Sequence, residues 1–177
     1  MGLLCGLLAS LPLQAEIEKL AIPSENGICL CWWPKLPSVK GWHHDRELSV
    51  HYSMNALAPD GSTFSTAEAV IYAQAIYKPR EPETKSVQML IDRDKKDFLA
   101  QTPDLKISEV EPLVNGDGKA LRSFTRFPQT AGSWELVSYG EEGDFYLIFC
   151  VSSRSKTAYE AALSTYKDLI CHYKEAP

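Results

Sequence analysis

Residues 144–152, which read DFYLIFCVS, decide the fold of this chain. Apolar and aromatic side chains occupy both alternating sets of positions in this segment, and a strand that is apolar on both faces is covered on both faces. The segment is therefore predicted to be the central strand of a sheet. Residues 156–174 follow with apolar side chains at intervals of three and four, which predicts an amphipathic helix. Thr157 and Glu160 match a capping box for this helix, with Ser155 as an alternative cap.

The segments before the central strand predict an antiparallel meander. Alternating polarity predicts strands at residues 105–114, 119–127 and 133–139. Two of the connections, residues 115–118 and 140–143, are rich in glycine, which tolerates the positive φ of tight hairpin turns. Strands joined by such short turns pair with their neighbours in antiparallel fashion.

The first half of the chain predicts further strands and a second helix. The predicted strands are residues 28–33, 47–55 and 69–77. Residues 84–101 place apolar side chains at helical spacing with charges between them, and Pro103 prevents the helix from continuing. The chain is therefore predicted to contain two main helices.

Together these elements predict one domain of the α+β class. A mostly antiparallel sheet of about six to seven strands, covered by two main amphipathic helices, forms an α/β/α sandwich. The chain has 177 residues, of which 45% are hydrophobic and 23% charged, the balance of a globular protein. This length suits a single domain, which is predicted to span residues 16–177.

The order of these elements resembles the PsbP-like fold superfamily, which is named for an extrinsic subunit of the photosynthetic oxygen-evolving complex. The resemblance covers about residues 27–173 and depends on a strand pair, a helix, a four-strand meander and a long closing helix. The superfamily includes exported bacterial domains and lipoproteins without known activity. It therefore implies an accessory or binding role, and it transfers no functional residue to this chain.

Residues 1–15 carry no charged side chain and are predicted to be a signal peptide. The apolar stretch from Leu3 to Leu13 is too short to cross a bilayer as a helix, and Ala15 supplies a small residue at a possible cleavage point. The absence of a positively charged beginning is consistent with a start codon further upstream. Cleavage would leave a periplasmic or envelope-associated protein. If the segment is instead buried in the domain, the protein is cytoplasmic.

Removal of residues 1–15 leaves an even number of cysteines, namely Cys29, Cys31, Cys150 and Cys171. An even number permits disulfide pairing in an oxidising compartment. The closing helix carries Cys171 away from Cys150, so a bridge from Cys171 to Cys29 or Cys31 is the most reachable one. The alternative is that the four side chains are buried thiols.

The charge of the chain argues against nucleic acid as a partner. The formal net charge is -5 and the pI is about 5.4, which removes the electrostatic attraction that phosphate backbones exert on basic proteins. The chain contains neither a phosphate-binding loop nor a Gly-x-Ser-x-Gly nucleophile motif. No cofactor and no transmembrane span in the mature chain are predicted, and the partner is expected to be a protein or a small ligand.

The candidate binding residues are Trp33, Trp42, His43 and His44. Large aromatic side chains in a loop region stack on sugars, peptides or apolar ligands. Adjacent histidines on an extended chain point to opposite sides, so His43 and His44 are not predicted to hold a metal ion. Alternatively, the tryptophans plug the end of the sheet and the histidines face solvent.

The sequence therefore predicts a non-catalytic exported domain of the periplasm or cell envelope. It would bind a protein partner or a small ligand through the aromatic loop and one sheet edge. The alternative is a small hydrolase or metal-dependent enzyme whose site is assembled from residues distant in sequence. A third possibility is a purely structural component of an envelope complex.

Overall fold

The computed structural model describes residues 17–24, 27–129 and 132–175. The predicted signal peptide, residues 1–15, lies outside this part of the chain. Within the described residues the protein is α+β, with nine strands, three α-helices and a 3-10 turn. No helix in these ranges is long and apolar enough to cross a membrane.

Seven of the strands form one antiparallel sheet. The described elements are β1 (Ile17–Ser24), β2 (Gly27–Pro34), β3 (Trp42–His44), α1 (Arg46–Tyr52), β4 (Asn55–Pro59), β5 (Ala69–Tyr77), the 3-10 turn (Lys78–Arg80), α2 (Val87–Gln101), β6 (Lys106–Val114), β7 (Ala120–Phe127), β8 (Trp134–Glu142), β9 (Phe145–Ser153) and α3 (Lys156–His172). The strand order of the sheet is β3-β4-β5-β9-β8-β7-β6, and every neighbouring pair is antiparallel. The predicted α+β class, the mostly antiparallel sheet of about seven strands and the predicted meander are confirmed, whereas three α-helices form where two main helices were predicted.

The strand predicted to be central, β9, is central. It pairs with β5 on one side and with β8 on the other, so that Phe149 lies opposite Ala73 and Ser138. Alternate β9 side chains enter two different apolar clusters, with Phe149 in the first and Ile148 in the second. The double-sided apolar pattern of this segment therefore reflects burial on both faces.

Different elements cover the two faces of the sheet. On the first face, α3 contributes buried Tyr166, and β2 contributes Trp32, whose ring centroid lies 5.4 Å from that of Tyr77. On the second face, Leu90 and Ile91 of α2 are fully buried. The amphipathic patterns that predicted α2 and α3 thus correspond to their buried sides.

Residues 47–55 were predicted to be a strand, and this prediction is wrong. The segment is mostly the helix α1, which begins after Asp45, whose Oδ1 accepts a hydrogen bond from the Leu48 backbone N at 3.1 Å. The helix ends at Ser53, which has a φ of 55°. An N-cap aspartate stabilises a helix start and here prevails over the alternating pattern, leaving Tyr52 half exposed.

The strand predicted at residues 28–33 forms, but it does not join the main sheet. It belongs to β2, which pairs with β1 in a separate two-stranded hairpin. The base of this hairpin packs on the first face of the main sheet through Ile17 and Trp32, whereas Ile28 near its tip is 73% exposed. The prediction of a single sheet failed because β1 was not recognised.

Gly140 lies within β8 and not in a hairpin loop as predicted, because the turn to β9 consists of Gly143 and Asp144 alone. A Cβ at position 140 would overlap the end of the Leu121 side chain, so this glycine allows close packing between β8 and β7.

The bridge from Cys171 to Cys31, one of the alternatives that the sequence leaves open, is not formed. Cys31, Cys150 and Cys171 are all reduced. Cys31 is buried with its Sγ 3.1 Å from Ser53 Oγ, whereas Cys171 is exposed. The side chain of Cys29 lies outside the described part of the structure.

Candidate functional site

The base of the β1–β2 hairpin and the segment from β3 to β4 enclose a cleft of about 300 Å³, which we call the hairpin cleft. Its lining includes Glu18, Trp33, His44, Arg46, Ser49 and Asn55. Two of the four predicted binding residues, Trp33 and His44, thus share one cleft. The other polar groups of the lining come from β1, the residue after β2, α1 and the first residue of β4.

Asn55 fixes the orientation of the His44 ring. The Asn55 side-chain nitrogen donates to the Pro34 carbonyl oxygen at 2.8 Å, so its Oδ1 is the atom that lies 2.8 Å from His44 Nδ1. An amide oxygen only accepts, and therefore His44 Nδ1 carries the hydrogen. In the neutral ring, Nε2 is then left as a hydrogen-bond acceptor.

Trp33 forms the floor of the hairpin cleft, since it is only 1% exposed. Its Nε1 donates to Glu18 Oε2 at 3.0 Å, and Arg46 Nη1 donates to Glu18 Oε1 at 2.7 Å. Burial acts to raise the pKa of Glu18, but the hydrogen bonds from Arg46 and Trp33 outweigh it and lower the pKa below its usual value. Glu18 is therefore anionic at neutral pH and engaged with its neighbours.

The other two predicted binding residues lie outside this cleft. Trp42 packs against the apolar cluster of the first face. His43 lies 3.5 Å from Asp60, measured from Nδ1 to Oδ1, and successive residues of a strand face opposite sides, so His43 and His44 diverge. Among the described residues, no three His, Cys, Asp or Glu side chains converge as metal ligands.

A second cleft of about 310 Å³ opens on the second face beside α1, and we call it the aromatic cleft. Its lining includes Tyr52, Met54, Phe64, Val70, Tyr72 and Arg154. The ring centroids of Tyr52 and Phe64 are 6.1 Å apart, and those of Phe64 and Tyr72 are 6.2 Å apart. The three rings therefore form one continuous wall.

An ionic cluster lies buried between the sheet and α2. Arg126 is 3% exposed, and its guanidinium donates to Glu135 at 3.4 Å and to the Tyr139 hydroxyl. Its Nη2 also lies 4.0 Å from Asp94 Oδ2. Burial raises the pKa of Asp94 and of Glu135, although Arg126 lowers both. One buried cation thus faces two carboxyl groups.

The residue patterns did not indicate this cluster or most of the hairpin cleft. Arg126 lies directly opposite Glu135 in the β7–β8 register, so opposite charges on two strands flanking a turn are the signal that could have revealed the pair. Asp94 joins them only because α2 docks there. Arg46 and Asn55 were missed because the segment between them was predicted to be a strand.

Two candidate nucleophiles are held in unreactive states. Ser49 lines the hairpin cleft, but its hydroxyl donates to the Asp45 carbonyl oxygen at 2.7 Å and accepts from the Ala56 backbone N at 3.0 Å. Cys150 is fully buried, and burial raises its pKa well above the usual value. Its sulfur is therefore a thiol, whereas the thiolate is the nucleophile.

Similarity to known proteins assigns no role to either cleft. No protein-family model matches the chain, and no curated protein is significantly similar to it in sequence.

Proposed function

We propose that this protein is an exported, non-catalytic domain of the periplasm or cell envelope that binds a small polar ligand in the hairpin cleft. The fold proposed for it is the PsbP-like α/β/α sandwich, which is supported by the order of its elements. One observation carries the binding proposal. The cleft brings the Nε2 acceptor of His44 together with the cationic Arg46 above a tryptophan floor.

The polar groups of the hairpin cleft define the chemistry of the ligand. His44 Nε2 suits a ligand hydroxyl, because Asn55 holds the ring proton on Nδ1. Arg46 is 58% exposed and binds Glu18 through Nη1, so other N–H groups of its guanidinium can reach a carboxylate. Lys35 also lines the cleft. A small hydroxylated organic acid satisfies both requirements.

The size of the cleft also favours a small molecule over a protein. Ligand clefts have volumes of roughly 300–1,000 Å³, and the hairpin cleft lies at the lower end of this range. A protein partner would instead be expected to bury roughly 800 Å² of this surface. The proposed ligand is therefore a small molecule, and a protein partner bound through the sheet edge would contradict this.

Calorimetric titration of the full chain tests the proposal. Gluconate should bind saturably, whereas sorbitol lacks the carboxylate and hexanoate lacks the hydroxyls, so both should bind more weakly. His44→Phe and Arg46→Gln should each weaken gluconate binding about tenfold or more, since each removes a hydrogen bond to the ligand. His172→Phe, at the exposed end of α3, is the control and should change nothing. Equal binding by all variants would contradict the proposal.

The alternative, a hydrolase, is favoured by one observation: His44 and Glu18 line the same cleft, and such pairs serve in acid-base catalysis. Both Glu18 oxygens are already bound by Trp33 and Arg46, which argues against a catalytic carboxylate. Gluconolactone distinguishes the two functions. The binding domain should leave its spontaneous hydrolysis unchanged, whereas acceleration that is lost in His44→Phe would favour the enzyme.

Export is supported by the uncharged apolar character of residues 1–15. Expression of the full chain in a bacterium, followed by fractionation and amino-terminal sequencing, tests it. We expect a periplasmic product that begins at Glu16. A cytoplasmic product that retains residues 1–15 would contradict the proposed localisation.

A further inference from the structure

We propose that the aromatic cleft is a second binding site and that it takes an uncharged planar molecule of one or two aromatic rings. The inference does not depend on the hairpin cleft, because the two clefts share no lining residue. They open on opposite sides of the sheet, with α1 contributing Ser49 to one and Tyr52 to the other.

The walls of the cleft suit an aromatic occupant. The planes of Tyr52 and Phe64 are tilted by 43°, and those of Phe64 and Tyr72 by 70°, so the wall offers both ring faces and ring edges. Aromatic rings favour offset and edge-to-face contacts at such spacings. Tyr52 stays 47% exposed at the mouth, and Val70 of β5 supplies an apolar floor.

The charges in the lining favour an uncharged ligand. Glu68 and Arg154 bring one charge of each sign. Arg154 Nη2 donates to the Ser65 carbonyl oxygen at 2.6 Å, and Glu68 Oε2 accepts from Ser155 Oγ at 3.2 Å. Ser152 in the lining likewise donates to Glu135 at 2.9 Å. Because the protein itself binds these polar groups, the cleft presents no unbalanced charge to a ligand.

The volume limits the size of the ligand. An apolar cavity of about 150 Å³ holds one benzene molecule, and the aromatic cleft has about twice that volume. Tyr72 of β5 lies directly opposite Cys150 of β9, and burial raises the pKa of the Tyr72 hydroxyl well above the usual value. Tyr72 therefore remains protonated and adds no charge to the lining of the cleft.

A titration of the full, ¹⁵N-labelled chain with 2-naphthol, followed by amide NMR shifts, tests the proposal. We expect saturable shifts confined to the lining and its neighbours, residues 52–54, 64–72, 132–134 and 150–154. Cyclohexanol lacks the aromatic ring and 2-naphthoate adds a charge, so both should bind at least fivefold more weakly. Equal affinity for cyclohexanol, or shifts located elsewhere in the spectrum, would overturn the proposal.

Two variants and a control connect the binding to the cleft. Val70→Trp should fill the cleft and abolish 2-naphthol binding, and Tyr52→Ala should weaken it about fivefold to tenfold. Tyr52 is half exposed, so its truncation leaves the core intact and keeps the test valid if the larger substitution unfolds the domain. Met89→Ala removes a similarly exposed apolar side chain on α2 and should have no effect. Unchanged binding in Tyr52→Ala would overturn the proposal.

Discussion

Asn55 holds His44 by a 2.8 Å hydrogen bond to Nδ1 and at the same time donates to the Pro34 carbonyl oxygen at 2.8 Å. One buried amide therefore joins the start of β4, the end of β3 and the base of the hairpin. The position of the His44 ring in the hairpin cleft depends on this junction. The cleft is thus a product of tertiary structure and cannot form in an isolated segment.

The Asn55 junction predicts the tautomer of His44. Long-range ¹⁵N–¹H spectra above neutral pH should show the hydrogen on Nδ1, because the Asn55 oxygen accepts it. In Asn55→Ala that preference should be lost. The free energy of unfolding should also fall by about 1–3 kcal/mol, since the buried Pro34 carbonyl loses its partner. A native His44 with its hydrogen mainly on Nε2 would contradict the assignment.

The lowered pKa of Glu18 predicts how its contribution to stability depends on pH. A carboxyl whose folded pKa lies below the usual 4.5 stabilises the fold fully above that value and loses this effect as the pH falls through the folded pKa. The advantage of the native protein over Glu18→Gln should be at most about 1 kcal/mol at neutral pH, because the pair with Arg46 is partly exposed. Denaturation at several pH values should show that this difference in unfolding free energy disappears in acid. A difference that increases in acid would contradict the prediction.

The buried ionic cluster predicts a large cost for removing its cation. Arg126→Met should lower the free energy of unfolding by roughly 3–5 kcal/mol at neutral pH, because the largely buried Glu135 and Asp94 would lose their countercharge. Burial raises the folded pKa values of both carboxyl groups above the usual ones, so they take up protons at a higher pH than free carboxyl groups do. The cost should therefore shrink in acid.

Arg122→Met is the matched control for Arg126→Met. Arg122 lies on the same strand and pairs with the exposed Glu109 at 2.7 Å, so its loss should cost less than about 1 kcal/mol. Urea denaturation of both variants at two pH values measures the difference. Equal losses of unfolding free energy in the two variants would contradict the prediction that burial makes Arg126 more important than Arg122. A loss in Arg126→Met that does not depend on pH would contradict it as well.

The β6–β7 turn predicts a steric effect at Gly116. A Cβ there would lie 2.9 Å from the Tyr173 carbonyl oxygen and 3.0 Å from that of Cys171, so Gly116→Ala should push the end of α3 away. We expect a loss of about 1–3 kcal/mol in unfolding free energy. Gly140→Ala is the comparison and should cost less, because it meets the end of the flexible Leu121 side chain. A larger loss of unfolding free energy in Gly140→Ala than in Gly116→Ala would contradict this prediction.

The start of α3 predicts which of two hydroxyls caps the helix. Ser155 Oγ accepts a hydrogen bond from the Ala158 backbone N at 3.2 Å. Ser155→Ala should therefore lower the melting temperature, with a loss of about 1 kcal/mol. Thr157→Ala lies inside the helix and should be nearly neutral. A larger loss of stability in Thr157→Ala than in Ser155→Ala would indicate instead that Thr157 caps the helix, as the capping box in the sequence predicts.

The meander and the central strand could be predicted because their signals are local and continuous. Residues 144–152 are apolar on both alternating sets, and strand bounds such as Ala69–Tyr77 follow directly from the pattern. The α1 segment was mispredicted because one side chain, Asp45, decides between helix and strand there. The hairpin was missed because the pairing of β1 with β2 determines it, and residue patterns contain little information on pairing.

The candidate site was predictable only in part. Trp33 and His44 were selected because aromatic and imidazole groups cluster in that loop, and they do share a cleft. Glu18 enters the cleft because β1 places it opposite Trp33, which required the unpredicted hairpin. The aromatic cleft combines α1 with β5 and the end of β9, and no sequence spacing connects these elements.

The His44 nitrogens provide the most direct test of ligand binding in the hairpin cleft. Long-range ¹⁵N–¹H spectra of the full chain should be recorded during a gluconate titration. We predict that the Nε2 resonance of His44 shifts saturably as it accepts the ligand hydroxyl, while the nitrogens of His172 stay constant. Unchanged His44 nitrogens, or equal shifts at His44 and His172, would contradict the proposed function.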